Sequence, residues 1–310
     1  MDINCKSLLF LFLFSFGLIV ASCSTDDDNI VPHPEEPIVA QSPDEQGGTT
    51  TQDDPITVSP YFFEQLLFIS HRGLNEYPEN TFAAINAAIM SGFKAIECDI
   101  CMTVDSVLVL QHDPTIDRCS NGTGTVNEMT YEQLLSYDFG SWKGNQFKGE
   151  RIVRLDDLLD YFKTKGLIIE LDLADETRFK REWIPFLYAL VKRKGMLGQT
   201  MFTATYDELK DFLSEPRDIV ISVSGVTNMS KAQQALLLKD KVSLCNFSLY
   251  KGNLTRAIAD FAHKNGAMIK CWTTTNKDEN DYLINLGADY IITEVPYEQT
   301  TTTGMPQIYV

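Results

Sequence analysis

The chain has 310 residues, of which 44% are hydrophobic and 22% are charged. It carries 26 Lys and Arg residues against 43 Asp and Glu residues, which gives a formal net charge of −17 at pH 7. This acidic balance argues against sequence-independent binding of nucleic acid, which needs a basic surface, and against simple electrostatic docking to anionic lipid.

Residues 1–22 are predicted to be a lipoprotein signal peptide. Lys6 precedes an apolar run, Leu8 to Val20, which is too short to cross about 30 Å of hydrocarbon and has the length of a secretory h-region. The following Val20-Ala21-Ser22-Cys23 resembles the bacterial lipobox, which implies cleavage before Cys23 and lipidation of that cysteine. The alternative is an ordinary signal peptide followed by a chance cysteine. A lipid anchor would attach the protein to the cell envelope without spanning the membrane.

Residues 23–55 are predicted to be the lipidated Cys23 followed by a disordered acidic tether. The segment 24–55 contains nine acidic residues and five prolines, and it has no Lys, Arg or aromatic residue. A segment of this composition cannot bury enough apolar surface to offset its ordering entropy. Its first residues, Ser24-Thr25-Asp26-Asp27-Asp28, resemble the acidic export signal of surface lipoproteins. We therefore expect an outer-membrane location, with the inward-facing and surface-exposed positions both left open.

Residues 56–310 are predicted to form one α/β domain. Nine strands are predicted, at residues 66–70, 94–101, 107–111, 167–172, 200–205, 218–223, 242–247, 267–272 and 290–293. Helices are predicted at residues 81–91, 155–163, 177–194, 207–213, 254–265 and 277–286. Strands separated by helices form a parallel sheet, and about 250 residues is the usual length of a (β/α)₈ TIM barrel. An open doubly wound sheet is the structural alternative, although no Gly-rich phosphate loop supports a dinucleotide fold.

The second and third predicted strands are expected to form a hairpin because no helix separates them. A tight turn between them places Asp99 across from Leu110 or Gln111. The same register places Glu97 across from His112. Opposed residues share a sheet face and lie about 5 Å apart. The spacing therefore predicts that His112 projects beside Glu97 and Asp99.

Polar residues at the strand ends carry the candidate chemistry. Glu97 and Asp99 lie on one face of their strand because strand side chains alternate, and Glu170 comes from a neighbouring strand. Buried carboxylates are costly unless they meet a cation, and an all-oxygen set suits Ca²⁺ or Mg²⁺ rather than Zn²⁺. The segment His71-Arg72 and the later His112 add an acid, a base and a positively charged clamp, which phosphodiester cleavage requires.

Taken together, these segments resemble the glycerophosphodiester phosphodiesterase family. The matching segments, in the family's order, are His71-Arg72-Gly73, Glu79-Asn80-Thr81, Glu97-x-Asp99, Val109-Leu110-Gln111-His112-Asp113 with Asp117-Arg118, Glu170, Trp272-Thr273 with Asn276, and Gly287 to Thr293 before Pro296. The resemblance implies a TIM barrel of the PLC-like phosphodiesterase type, with a small insertion at residues 113–151 after the strand hairpin. It also implies one divalent cation, Ca²⁺ or Mg²⁺, bound by Glu97, Asp99 and Glu170.

The implied activity is metal-dependent hydrolysis of glycerophosphodiesters to sn-glycerol 3-phosphate and an alcohol. His71 and His112 would be the acid–base pair, and Arg72 would bind phosphate. Trp272 is predicted to contact the substrate, with packing at the barrel rim as the alternative. Two other functions are left open: a lyase or phospholipase acting on another lipid-derived or polymer phosphodiester, and a diester-binding lipoprotein that has lost catalysis.

One position departs from the family's pattern. The family usually has Glu-x-Lys where this chain has Glu170-Leu171-Asp172, so an acid stands where a phosphate-binding lysine is expected. Either Asp172 joins the cation site or the substrate is held differently. Lys270 lies two residues before Trp272 on the same strand face, and it is the predicted replacement cation.

Overall fold

The computed structural model describes residues 58–59, 62 and 67–296 of the chain. The predicted signal peptide, the lipidated Cys23 and the acidic tether lie outside these residues, so the amino-terminal domain boundaries and the lipid anchor stay predictions. Within the described part of the chain, no helix is both long enough and apolar enough to cross a bilayer.

Eight parallel strands close into a barrel, as the strand pattern predicts. The strands of residues 67–296 are β1 (Leu67–His71), β2 (Ala95–Met102), β3 (Leu108–Leu110), β4 (Ile168–Asp172), β5 (Thr200–Thr205), β6 (Arg217–Ser224), β7 (Val242–Tyr250), β8 (Met268–Thr274) and β9 (Tyr290–Thr293). Strand β1 pairs in parallel with both β2 and β9, which closes the ring. Strand β3 lies outside the ring, antiparallel to β2.

Helices cover the outside of the ring, except for α2, which lies within the predicted insertion. They are α1 (Phe82–Met90), α2 (Tyr131–Leu134), α3 (Leu155–Lys165), α4 (Ile184–Lys194), α5 (Tyr206–Phe212), α6 (Met229–Leu236), α7 (Arg256–Lys264) and α8 (Lys277–Leu286). Several begin at a Thr or Asn whose side chain accepts a backbone N–H, as Thr81 does for α1 and Asn276 for α8. Such caps contribute about 1 kcal/mol each. Gly166 ends α3 in the left-handed conformation that glycine adopts without strain.

The barrel interior changes from apolar to polar along each strand. One apolar cluster fills its lower part, formed by residues such as Leu67, Ala95, Ile168 and Met201 with Tyr290. Side chains alternate along a strand, so the inward-facing residues further along carry the polar groups. These residues are His71, Glu97, Asp99, Glu170, Asp172, Thr203, Ser222, Asn246, Ser248 and Lys270. The interior is therefore packed with apolar side chains at the amino ends of the strands. It is lined with polar and charged side chains at their carboxyl ends, where TIM barrels place their active sites.

The predicted helix over residues 177–194 is wrong in its first turns. Helix α4 begins at Ile184, after a 3₁₀ turn at Arg181–Trp183. Asp175 accounts for the difference because its carboxylate accepts the backbone N–H of Thr177 at 2.9 Å, and such side-chain turns compete with helix formation. Helix α6 was not predicted from the apolar pattern.

The predicted hairpin is confirmed, and its register differs from part of the prediction. Ile100 pairs with Leu110, and the Gln111 N–H donates to the carbonyl of Asp99 at 3.0 Å, one of the two predicted partners. The predicted pairing of Glu97 with His112 is wrong because β3 ends at Leu110. His112 therefore lies in the loop beyond the ladder.

The predicted insertion is an ordered segment with a core of its own. This apolar cluster joins the insertion to the hairpin. It consists of Cys101 and Val109 of the hairpin, Ile116, Val126, Leu134 and Phe139 of the insertion, and Ile152 just after it. Asp138 organises the segment by accepting backbone N–H groups from Gly140, Ser141 and Gly149 at 2.8–3.0 Å. The insertion is thus held by internal contacts rather than by the barrel alone.

Candidate active site

Three carboxylates converge at the mouth of the barrel. Glu97, Asp99 and Asp172 each offer an oxygen, and these oxygens lie within 4.8 Å of one another. The parallel register of β2 and β4 brings them together, since Asp99 pairs with Asp172 and Glu97 pairs with Glu170. Glu97 and Asp99 are 3% and 1% exposed. We call Glu97, Asp99 and Asp172 the carboxylate trio.

Two arginines and an asparagine contact the trio. Arg72 Nε lies 2.9 Å from Asp99 Oδ2, and the Arg72 backbone N–H donates to Glu97 Oε2 at 3.1 Å. Asn80 Nδ2 donates to Asp99 Oδ2 at 2.9 Å. Arg178 Nη1 lies 3.2 Å from Asp99 Oδ1, and its Nη2 lies 3.1 Å from Asp172 Oδ2. Asp99 is therefore the most heavily contacted carboxylate of the site.

The turn after β1 aims Arg72 at the trio. Arg72 itself has a left-handed backbone with φ of 56°, which is uncommon for a residue with a side chain. Gly73 follows with φ of 88°, and a Cβ at this position would lie 2.6 Å from the carbonyl carbon of Ala84. Only glycine fits so close to α1. The His71-Arg72-Gly73 segment is thus explained by the geometry of this turn.

The electrostatics of the trio favour the binding of a cation. Burial and the adjacent Asp99 carboxylate raise the pKa of Glu97 well above its ordinary value. Burial also acts to raise the pKa of Asp99, but the charges of Arg72 and Arg178 outweigh it and hold that pKa below its ordinary value. A divalent cation would relieve the repulsion that Glu97 experiences. Carboxylate oxygens are the ligands that Ca²⁺ and Mg²⁺ prefer.

Glu170 lies beside Glu97 but is engaged by a lysine. Lys270 Nζ donates to Glu170 Oε1 and, at 3.0 Å, to Thr203 Oγ1. The second oxygen, Glu170 Oε2, is buried and has no hydrogen-bond partner among the described residues. Asp172, which the sequence left open as a member of the cation site, joins Glu97 and Asp99 in the trio. Glu170 of the predicted set is paired with Lys270 and is not one of the three grouped carboxylates.

We predict that the Lys270→Met substitution destabilises the fold by about 3–5 kcal/mol, because Glu170 would remain buried without its partner. Both side chains of the pair are 1% exposed. Urea unfolding of the full chain in the presence of EDTA measures this loss. The matched control is Lys210→Met, since Lys210 pairs with Asp207 on the outer surface and its removal should leave the unfolding midpoint near wild type. An unchanged midpoint for Lys270→Met would contradict the prediction.

The two predicted catalytic histidines come from the end of β1 and from the loop after β3. His71 is the strand partner of Glu97, and its Nδ1 lies 3.5 Å from Glu294 Oε1. Burial, with the nearby Arg72 charge, lowers the pKa of His71 to about 4, so this imidazole is neutral at pH 7. His112 lies in the loop after β3, and its charge helps to lower the pKa of Asp99. That His112 projects beside Glu97 and Asp99 stays a prediction.

A chain of ion pairs connects His112 to Arg72. His112 Nδ1 lies 2.6 Å from Asp113 Oδ1, and Arg118 Nε donates to Asp113 Oδ2 at 2.6 Å. Arg118 also binds both oxygens of Glu79, at 2.7 and 2.8 Å. Glu79 Oε1 in turn lies 3.1 Å from Arg72 Nη1. The hydrogen bond from Arg118, against the opposing effect of burial, lowers the pKa of Asp113 to about 2.

We predict that the Asp113→Asn substitution lowers kcat at least about tenfold and shifts the pH profile of kcat. A carboxylate on Nδ1 holds the imidazole in the tautomer whose Nε2 is free to accept a proton, whereas an amide can select the other tautomer. Steady-state kinetics between pH 5 and 9 measure both effects. Asp117→Asn in the same loop is the control, since Asp117 caps the backbone of Gly124. Equal profiles for Asp113→Asn and wild type would contradict this role.

A polar cavity opens beside the trio. It is lined by His71, Arg72, Tyr77, Glu79, Lys143 and Glu294. Lys143 comes from the insertion, which therefore forms one wall of the site. Trp272 and Tyr250 form an aromatic pair on β8 and β7, with ring centroids 5.7 Å apart, and they are 38% and 48% exposed. Such exposure leaves Trp272 accessible to a substrate, and its predicted role stays a prediction.

Sequence reasoning missed Arg178, Asn80 and Glu294 as site residues. Asn80 lies in a segment quoted for the family resemblance, and its φ of 57° turns its amide toward Asp99. The predicted helix over residues 177–194 would include Arg178, but Arg178 lies in the loop after β4. One signal could have found it: with no lysine at position 172, the acids of β2 and β4 need a cation from a nearby loop.

Comparison with known proteins identifies relatives of this architecture. The glycerophosphoryl diester phosphodiesterase family model matches residues 71–298. YhdW of Bacillus subtilis, whose name assigns it provisionally to the glycerophosphodiester phosphodiesterases, is 31% identical over 74% of this chain and 95% of its own. The glycerophosphodiester phosphodiesterase of Caldanaerobacter subterraneus subsp. tengcongensis is 28% identical over 74% of this chain and 94% of its own.

Solved structures show the same fold. A glycerophosphodiester phosphodiesterase from Agrobacterium tumefaciens is 26% identical, with a TM-score of 0.61 over 74% of this chain and 97% of its own. A phosphodiesterase from Oleispira antarctica, solved in complex with the product sn-glycerol-3-phosphate, is 21% identical. Its TM-score is 0.65 over 76% of this chain and 96% of its own.

Proposed function

The chain belongs to the glycerophosphoryl diester phosphodiesterase family, and we propose that it hydrolyses glycerophosphodiesters to sn-glycerol 3-phosphate and an alcohol with the help of one divalent cation. The observation that carries the proposal is the carboxylate trio at the mouth of the barrel, with His71 beside it at the end of β1 and His112 in the loop after β3. The product bound to the Oleispira antarctica phosphodiesterase supports the choice of substrate class.

The cation would be held by Glu97, Asp99 and Glu170, with Asp172 as a further oxygen donor. When bound, it supplies positive charge to the phosphate oxygens and to a neighbouring hydroxyl. Arg72 points into the cavity beside the trio, where its guanidinium binds the phosphate. Arg72 also keeps Asp99 ionised, since its charge lowers the pKa of that carboxyl.

The two histidines move the protons. One imidazole accepts the proton of the attacking hydroxyl while a new P–O bond forms, and the other donates a proton to the departing alcohol oxygen as its P–O bond breaks. Attack by the adjacent glycerol hydroxyl would give a five-membered cyclic phosphate, which water opens to sn-glycerol 3-phosphate. Asp113 orients His112 throughout by holding its Nδ1. The histidines return to their starting protonation states after the second step.

The test uses the full chain, solubilised in detergent, with glycerophosphocholine or glycerophosphoethanolamine. We expect release of sn-glycerol 3-phosphate, measured with a coupled dehydrogenase, to stop in EDTA and to recover with Ca²⁺ or Mg²⁺. Turnover of intact phosphoinositide or of a polymer phosphodiester alone would favour the lyase or phospholipase alternative. Binding of the diesters without turnover of any would contradict the enzymatic proposal.

A further inference from the structure

We propose that Arg178 binds the phosphate group of the substrate and supplies the positive charge that position 172 lacks. The proposal rests on the proposed function and names a binding residue for it. Arg178 belongs to the loop between β4 and the 3₁₀ turn at 181–183, within the range 177–194 that is predicted to be helical.

The position of the guanidinium is the first argument. Arg178 Nη1 lies 3.2 Å from Asp99 Oδ1 and Nη2 lies 3.1 Å from Asp172 Oδ2, so the group sits at the edge of the carboxylate trio. In the proposal, a phosphate bound at the trio is contacted by the same guanidinium. Planar guanidinium groups bind phosphate through paired N–H groups, which makes this residue type well suited to the task.

The surrounding loop holds Arg178 in place. Its side chain is 3% exposed, and Nη1 also donates to the Asp172 carbonyl at 3.0 Å. The next residue, Phe179, is 1% exposed and packs edge-to-face on Trp183 at 5.6 Å between ring centroids. An arginine fixed in this way loses little side-chain entropy when a ligand arrives. A purely solvated arginine would not be built into the core.

One donor of Arg178 is unused. Its Nε is buried and has no hydrogen-bond partner within the described part of the chain. Buried donors without partners are uncommon in folded proteins, and a ligand oxygen is one way to satisfy them. By contrast, Lys270 already donates to Glu170 and Thr203, so the predicted phosphate contact of Lys270 would require that buried pair to separate.

The experiment measures two affinities of the Arg178→Gln variant by titration calorimetry. The affinity for sn-glycerol 3-phosphate, with Ca²⁺ present, should fall about tenfold to a hundredfold, the range of a hydrogen bond to a charged group. The affinity for Ca²⁺ alone should stay equal or rise, because a positive charge has left the trio. A residue that only held the carboxylates in place would weaken both affinities. Unchanged binding of sn-glycerol 3-phosphate, or a loss of both affinities, would overturn the proposal.

Two double variants test the role of the charge itself. Arg178→Gln combined with Asp172→Lys returns a cation to β4 and should regain part of the affinity for sn-glycerol 3-phosphate. Arg178→Gln combined with Asp172→Asn removes the ion pair without returning the cation and should regain none. If only the double variant with Asp172→Asn regained affinity for sn-glycerol 3-phosphate, Arg178 would serve only to neutralise Asp172, and the proposal would fail.

Two controls separate this proposal from the proposed function. Arg181→Gln changes an exposed arginine of the adjoining turn, which pairs with Glu176, and should leave both affinities at wild-type values. A wild-type chain that hydrolyses glycerophosphodiesters while Arg178→Gln binds product normally would overturn only the role of Arg178. A wild-type chain with neither hydrolysis nor product binding would overturn the proposed function.

Discussion

Replacing either His71 or His112 with alanine is expected to lower kcat at least about a hundredfold, the lower range for loss of a general acid or base. His71 lies beside Glu97 at the end of β1, and His112 lies in the loop after β3. Each variant leaves one imidazole, so one of the two proton transfers loses its partner. The release of sn-glycerol 3-phosphate by the full chain at saturating glycerophosphodiester gives kcat directly.

His263 provides the matched control for the histidine variants. It pairs with Asp289 at 2.8 Å on the outside of the barrel, so His263→Ala should keep wild-type kcat. Circular dichroism of all three variants shows whether the barrel is retained. Wild-type kcat in His71→Ala or in His112→Ala would remove that histidine from the mechanism. The kcat of the double variant should be only slightly lower than that of the less active single variant, because both residues serve one reaction.

Replacing Asp99 with asparagine is expected to reduce kcat at least about a thousandfold, which corresponds to the several kcal/mol that a bound cation contributes. Asp99 is the residue on which Arg72, Arg178 and Asn80 all converge. An amide of the same size removes the negative charge and leaves two guanidinium groups facing each other. We expect the affinity for Ca²⁺ to fall in parallel with kcat.

Titration calorimetry with Ca²⁺ and steady-state kinetics at saturating Ca²⁺ or Mg²⁺ test the Asp99→Asn prediction. Asp157→Asn is the control, since Asp157 pairs with Arg154 and is 43% exposed on α3. That variant should retain both activity and Ca²⁺ affinity. If Asp99→Asn binds Ca²⁺ as wild type does and turns over normally, Asp99 has no place in the cation site.

The strands of the barrel were predictable because their signal is local. Apolar runs such as 200–205 and 290–293 match β5 and β9 at both ends, and glycines such as Gly166 mark the helix ends. The two-residue alternation along β2 also predicted that Glu97 and Asp99 share a face. Each of these features depends only on residues that are close together in the sequence, so the sequence alone is enough to predict it.

The ionic partners of the site were not predictable in the same way. Lys270 and Glu170 are 100 residues apart in the chain, and their pairing depends on barrel closure. The loop of Arg178 resembled a helix because the turn at Asp175 depends on one side-chain hydrogen bond. His112 missed its predicted cross-strand partner because β3 is only three residues long. Each miss concerns a contact that the fold, rather than the local pattern, decides.

The insertion combines internal packing with a single contribution to the cavity. The apolar cluster that it shares with the hairpin holds it in place, while Lys143 lines the cavity together with Glu294. Surface residues of such a segment can vary over evolutionary time without disturbing the barrel floor or the carboxylates. The insertion is therefore a module on which selection can act to change the accepted alcohol, while the hydrolytic chemistry is inherited unchanged.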